Sequence, residues 1–173
     1  MRRVCILTTG GTIEKVYDEF TGTLENRGSI ISRMLGELRL EGVEVSVRPV
    51  LAKDSLFMTD EDRGLIVEAV RQAGAETGEG CDGVVILHGT DTLSLTGERI
   101  LAEIPRPRVP VVLTGAMRPF EMKHSDALQN LTEALFATGV LPPGVYCVAH
   151  GRALRFPGVV KDRVRGSFTG STG

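Results

Sequence analysis

Two periods alternate along this chain. The stretches "RVCILT" (3–8), "GVVILH" (83–88), "VPVVLTG" (109–115) and "GVYCVAH" (144–150) are short, apolar and rich in β-branched residues, and "VEVSVRPV" (43–50) alternates apolar with polar. Continuous apolar runs of this length predict strands buried on both faces, and alternation predicts a strand with one exposed face. Between them lie segments of helical spacing. "SIISRMLGEL" (29–38) places Ile30, Ile31, Met34, Leu35 and Leu38 at that spacing. "TDEDRGLIVEAVRQAG" (59–74) opens with acids in its first turn and lines up Leu65, Ile66, Ala69 and Val70. "LSLTGERILAEI" (93–104) and "SDALQNLTEALFATG" (125–139) follow, the latter opening on capping residues and ending at a glycine.

A strand–helix series of this kind predicts an α/β three-layer sandwich around a largely parallel sheet, and 173 residues fit a single domain spanning 1–173. In such folds ligands bind beyond the C-terminal ends of the strands. The stretches there are "TTGGTIEKVY", "LAKDSLFMT", "HGTDTLS", "TGAMRPF" and "AHGRALRF", all rich in Thr, Ser, Asp, Gly or Arg. The tail "GSFTGSTG" is small and polar and is expected to be loose or loop-like.

Composition narrows the function classes. With 42% hydrophobic and 24% charged residues, the balance is that of a soluble globular protein. The net charge is −2, and the densest basic cluster, "KDRVR", is too short to argue for nucleic acid. No apolar window approaches the length of a membrane span, and the run "VCIL" behind the N-terminal arginines is too short for a secretory signal, so a cytoplasmic location is expected. The three cysteines, Cys5, Cys81 and Cys147, have no C-x-x-C spacing and read as reduced thiols.

Familiar phosphate and nucleophile signatures are missing. The adjacent glycines Gly10 and Gly11 are not a dinucleotide fingerprint, and neither a P-loop nor a G-x-S-x-G elbow occurs. His88, His124 and His150 are isolated, so no metal site is expected. Thr90 and Asp91 in "HGTDT" follow an apolar strand, where Thr or Asp could simply cap the next helix. Ser55 could be an ordinary loop serine, and a lone lysine such as Lys161 is usually a solvated charge.

Taken together, "TTGGTIE" (8–14) and "HGTDT" (88–92) resemble the two signature motifs of the bacterial-type L-asparaginase/glutaminase family. "DS" ahead of "MT", "GAMRP" (115–119), "SDALQNLTEAL" (125–135) and the late Lys161 occur in that family's order and spacing. The resemblance covers essentially the whole chain and implies the fold of that family's N-terminal catalytic domain. Most members carry a second, C-terminal domain. This sequence stops where the first domain would end, and so resembles the single-domain, short-chain asparaginases.

The resemblance implies hydrolysis of the side-chain amide of asparagine, with minor glutaminase activity possible, through a threonine nucleophile and an acyl-enzyme and without a cofactor. It maps the nucleophile to Thr12, a helper tyrosine to Tyr17, and a second catalytic group to Thr90, Asp91 and Lys161. Lys161 would polarise Thr90, directly or through a water. Asp91 would either hold Lys161 or bind the substrate's α-ammonium. The order in which the two threonines act stays open. For substrate binding it implies Gly11, Ser55 (α-carboxylate), Thr90, Asp91 and the backbone around Ala116, which faces the scissile amide. Backbone N–H groups of the Gly10–Gly11 turn are expected to form an oxyanion hole, and the stretch 14–28 to act as a lid. A homodimer or higher homo-oligomer is implied. Without the second domain that donates an acid to a neighbouring subunit's site, weaker substrate affinity is expected. A glutaminase, an ammonia-supplying subunit and a sensor of asparagine or aspartate remain as alternatives.

Overall fold

The computed structural model describes residues 1–170. Among them, a six-stranded sheet forms the middle layer. Its strands are β1 (Arg2–Gly10), β4 (Val43–Lys53), β5 (Gly83–Leu87), β6 (Pro110–Thr114), β7 (Gly144–Ala149) and β8 (Arg152–Arg155). They lie side by side in the order β4-β1-β5-β6-β7-β8. The first five are parallel, and β8 returns antiparallel to β7. Pro110 begins β6, where its missing N–H costs least.

Four helices cover the two faces: α1 (Ile31–Gly36), α2 (Asp60–Gln72), α3 (Leu93–Glu103) and α4 (Ala127–Val140). On one face Ile66 and Val70 of α2 and Ile100 of α3 pack with Val84 and Ile86 of β5. On the other, Ile31 and Met34 of α1 and Leu131 and Leu135 of α4 pack with Val85 and Leu87. Alternate residues of β5 thus enter opposite cores, which is why its sequence reads as a continuous apolar run. Thr59 and Asp62 form a reciprocal capping box at the start of α2.

Two small ribbons were not visible in the hydrophobic pattern. β2 (Val16–Asp18) pairs with β3 (Thr23–Glu25), and β9 (Val160–Asp162) pairs with β10 (Ser167–Thr169). The stretch 14–28 is therefore a hairpin as well as a loop. Asp18 holds its turn by accepting from the Phe20 N–H and the Thr21 hydroxyl and by pairing with Arg27. Three residues of the tail expected to be loose, Ser167–Thr169, form β10, whose Phe168 is buried in the first core. Residues 171–173 of that tail lie outside the described residues. Helix α1 is shorter than its periodicity predicts. Ser29 spends its hydroxyl on Glu14, and α1 tightens at its end through Glu37 N–H to Met34 O and Leu38 N–H to Leu35 O.

Strand order fixes where a ligand can sit. From β1 the chain crosses to β4 on one side and then to β5 on the other, so the topology switches direction between β1 and β5. The crevice beyond the C-terminal ends of those two strands is the natural binding position. The "TTGGT" and "HGTDT" stretches emerge there.

Candidate functional site

Strand β1 ends at Gly10, and a short 3-10 turn carries Thr12 to Glu14. Gly10 and Gly11 have φ of 95° and 80°, a region that favours glycine. Space dictates the same choice. A Cβ on Gly11 would lie 2.4 Å from the Gly89 nitrogen, and one on Gly89 would lie 2.5 Å from Ser55 Oγ. Three turns, after β1, β4 and β5, therefore meet backbone to backbone, which brings Thr12, Ser55 and Thr90 into one neighbourhood.

The glycine turn is braced from below. Gly10 N–H donates to Glu14 Oε2 at 3.1 Å, and Gly11 N–H donates to Lys53 O at 2.9 Å. Both amides are committed, so the oxyanion hole expected from them is not available. The glycines serve close approach instead. Burial raises the Glu14 carboxyl above its ordinary pKa, against the lowering effect of the donors on Ser29, Gly10 and Ile30. The hairpin leans on the turn from above. Asn26 Nδ2 donates to Gly11 O at 2.8 Å, Lys15 pairs with Asp54 at 2.7 Å, and Tyr17 N–H donates to Glu121 at 3.0 Å.

Beyond β5, Lys161 Nζ donates to Thr90 Oγ1 at 2.8 Å and to Asp91 Oδ1 at 2.9 Å. Lys161 reaches this point from β9, 70 residues away in sequence from Asp91. A lysine in isolation reads as surface charge, but here its side chain is only 16% exposed. Arg163 adds a second cation on the same Asp91 oxygen at 2.8 Å. Burial pushes the Asp91 carboxyl up, yet the contacts with Lys161 and Arg163 outweigh it and hold the group below the usual carboxylate range.

Neither Asp91 nor Thr92 caps α3 with its side chain. The Asp91 carboxylate turns to the two cations, and Thr92, at the N-cap position, makes no side-chain cap. The Thr92 hydroxyl donates to Ser55 O at 2.9 Å, and its N–H donates to Ser55 Oγ at 3.3 Å. Side chains that would ordinarily finish a helix are diverted into joining the turns. Ala116 follows β6 and is buried, and a Cβ on the adjacent Gly115 would lie 3.2 Å from Thr90 Cγ2.

Gly11, Ser55, Thr90, Asp91 and Lys161 are thus drawn together around Gly89, with Thr12 next to Gly11 and Ala116 next to Gly115 in the chain. Tyr17 stands on the hairpin strand β2, 59% exposed, and no hydrogen bond among the described residues joins its phenol to the others. Sequence reasoning missed Arg163, Thr92, Glu14 and Asn26. The "KDR" cluster held the signal for Arg163, but its contact with Asp91 depends on where the turn after β9 lies in space.

His88 belongs to the core. It is fully buried, with Nδ1–H donating to Gly89 O and Nε2 accepting from the Thr96 hydroxyl, both at 2.8 Å. Burial lowers its pKa to about 4, with the Gly89 contact opposing and the Arg63 charge adding. Burial likewise pushes the Cys147 thiol up to about 12. Among the described residues, no three His, Cys, Asp or Glu side chains gather as a metal ion would require, and no helix is long and apolar enough to cross a membrane.

Residues 3–166 match the family model described as "Asparaginase, N-terminal". The L-asparaginase of Thermococcus kodakarensis is 37% identical over 144 residues, covering 83% of this chain and 43% of that protein. A glutamyl-tRNA(Gln) amidotransferase subunit of Thermoplasma acidophilum is 33% identical over 138 residues, covering 80% of this chain and 33% of that one. The solved structure of the thermostable L-asparaginase from T. kodakarensis superposes with a TM-score of 0.85 at 33% identity, over 97% of this chain and 51% of that one. The chain spans about half or less of the length of these relatives.

Proposed function

The chain belongs to the asparaginase family, and we propose that its site hydrolyses the side-chain amide of L-asparagine to L-aspartate and ammonia. The observation that carries this reading is the hydrogen-bonded group Lys161–Thr90–Asp91, packed through Gly89 against the turn that presents Thr12. An amide resists water, and a covalent intermediate divides its barrier into two steps.

In the proposed sequence the Thr12 oxygen bonds to the amide carbon. The carbon–nitrogen bond breaks, and the nitrogen leaves as ammonia, its third hydrogen being the relayed threonine proton. Water then adds to the acyl-enzyme, the bond to Thr12 breaks, and Thr12 regains a proton. Tyr17 is the proposed proton relay for Thr12 and has to be carried inward by the hairpin. The Lys161 ammonium occupies one lone pair of Thr90, which leaves the Thr90 hydroxyl proton free for the substrate or a water. Both cations sit on Asp91 Oδ1, so Oδ2 is the proposed acceptor for the substrate ammonium. Ser55 is the proposed α-carboxylate contact, with the backbone near Ala116 facing the amide. The exposed Leu56 and Phe57 beside Ser55 favour a homo-oligomer that covers them.

The similarity to an amidotransferase subunit supports a second reading, in which glutamine is the ammonia source. Ammonia release from L-asparagine and L-glutamine by the purified chain separates the two. Preference for asparagine supports the first reading, preference for glutamine supports the second, and release from neither at high millimolar concentration contradicts both.

A further inference from the structure

Asp126 heads α4 but caps none of its N–H groups. Its carboxylate turns back to accept from Met117 N–H at 2.9 Å and Arg118 N–H at 3.0 Å, and it meets His150 Nε2 at 2.6 Å. Burial pushes this carboxyl up, but the Met117 and Arg118 amides and His150 outweigh it and hold it below the ordinary range. An ionised carboxylate only accepts, so His150 donates from Nε2. In the neutral ring Nδ1 then accepts from the Ser167 hydroxyl, 2.8 Å away.

The histidine backbone is engaged as well. His150 follows β7 with φ of 53°, and its N–H donates to Asn130 Oδ1 at 3.0 Å. Asn130 Nδ2 donates in turn to Gly115 O at 2.9 Å. On the far side Ser167 opens β10, where the register sets it opposite Asp162 and sets Phe168 opposite Lys161. A closed circuit results. It runs from Thr90 through Gly115 to Asp126, then through His150 to Ser167, across the ribbon to Lys161, and back to Thr90.

We infer that His150 and Ser167 are positioning residues that lock the ribbon carrying Lys161 to the segment around Ala116, so that both sides of Thr90 are set together. Neither touches Thr90, and both act through other groups. No backbone pairing continues the ribbon into the central sheet; besides Phe168 in the first core and Arg152 Nη1 donating to Phe168 O at 3.1 Å, the His150–Ser167 contact is what ties it toward the Ala116 segment. The catalytic part of the inference rests on the proposed amide hydrolysis, whereas the mechanical part does not.

The test uses the full chain with Ser167→Ala, His150→Ala and His150→Gln. Glutamine can donate to Asp126 from its amide nitrogen and accept from Ser167 at its oxygen, so it keeps a neutral bridge. Hydrogen exchange of the Met117 and Arg118 amides needs no substrate. Ser167→Ala, made on the ribbon, is expected to speed exchange at those two amides by about tenfold, and His150→Gln to stay within about threefold of the parent. In turnover of asparagine, His150→Ala is expected to lower kcat by about tenfold or more with KM nearly unchanged, and His150→Gln to recover most of it. Unchanged exchange at Met117 and Arg118 in Ser167→Ala overturns the inference, as does failure of the glutamine variant to outperform alanine in exchange. If the parent itself releases no ammonia from asparagine, the proposed function fails, and the exchange result alone decides the coupling.

Discussion

Lys161 Nζ lies 2.8 Å from Thr90 Oγ1, joining the end of a central strand to a ribbon formed about 70 residues later. The contact places a cation on a hydroxyl at the topological switch point of the sheet. Thr90→Val keeps the shape and removes the hydroxyl, and Lys161→Met keeps much of the stem and removes the charge. Each is expected to lower kcat for asparagine by about 10²–10⁴-fold with the circular dichroism spectrum unchanged. A fall of less than about threefold in either would remove the pair from the mechanism.

Asp91 yields a pH prediction. Its carboxyl is held low, so its ionised form, and any activity that needs it, persists on acidification until the pH falls through the depressed value. Lys161 is the leading lowering influence. In Lys161→Met the Asp91 pKa rises, and the acidic limb of the remaining kcat/KM profile is expected to move to higher pH. A limb that stays in place would show that Asp91 does not set it.

His88 adds a pH dependence to stability on the acid side of neutrality. Its folded pKa is about 4 against an ordinary value of 6.5. Between those values the unfolded chain binds a proton that the folded chain refuses, so stability falls as pH drops from about 6.5 to about 4. The loss is on the order of 3 kcal/mol. Urea melts across this window should show the decline, and His88→Gln should flatten it whatever its effect at neutral pH. An equal slope in both proteins would contradict the assignment.

The glycine turn is predicted to tolerate no side chain. Gly11→Ala combines a left-handed backbone with a Cβ 2.4 Å from the Gly89 nitrogen, and is expected to cost about 3 kcal/mol or more. Gly22, also left-handed at φ 70° but facing open space, is the control. Gly22→Ala should cost only about 1–2 kcal/mol. Similar denaturation midpoints for the two variants would show that the contact between turns is not tight.

The central layer was legible because burial on both faces leaves a continuous apolar run, as in 83–87, and because the longer helices carry a 3.6-residue period. The ribbons were not legible. Strands of three residues such as 16–18 and 160–162 are too short to show a period, and the tail around Phe168 carries one apolar anchor among small polar residues. Candidate site residues next to motif glycines could be named from the chain alone. Arg163 could not, because its contact with Asp91 depends on where the turn after β9 lies in space. Asp126 was misread as an ordinary cap because helix capping and holding the Ala116 segment call for the same residue type at the same place. The expected oxyanion hole failed for a related reason, since sequence shows that glycine amides are accessible but not that Glu14 and Lys53 already occupy them.

The most direct test of the account is a partition experiment with hydroxylamine. The purified chain is given L-asparagine, or the β-methyl ester of L-aspartate, and the β-hydroxamate and aspartate formed are measured. A common acyl-enzyme on Thr12 predicts the same hydroxamate-to-aspartate ratio from both substrates, and loss of both products in Thr12→Ala. A ratio that changes with the leaving group, or turnover that survives in Thr12→Ala, would contradict it.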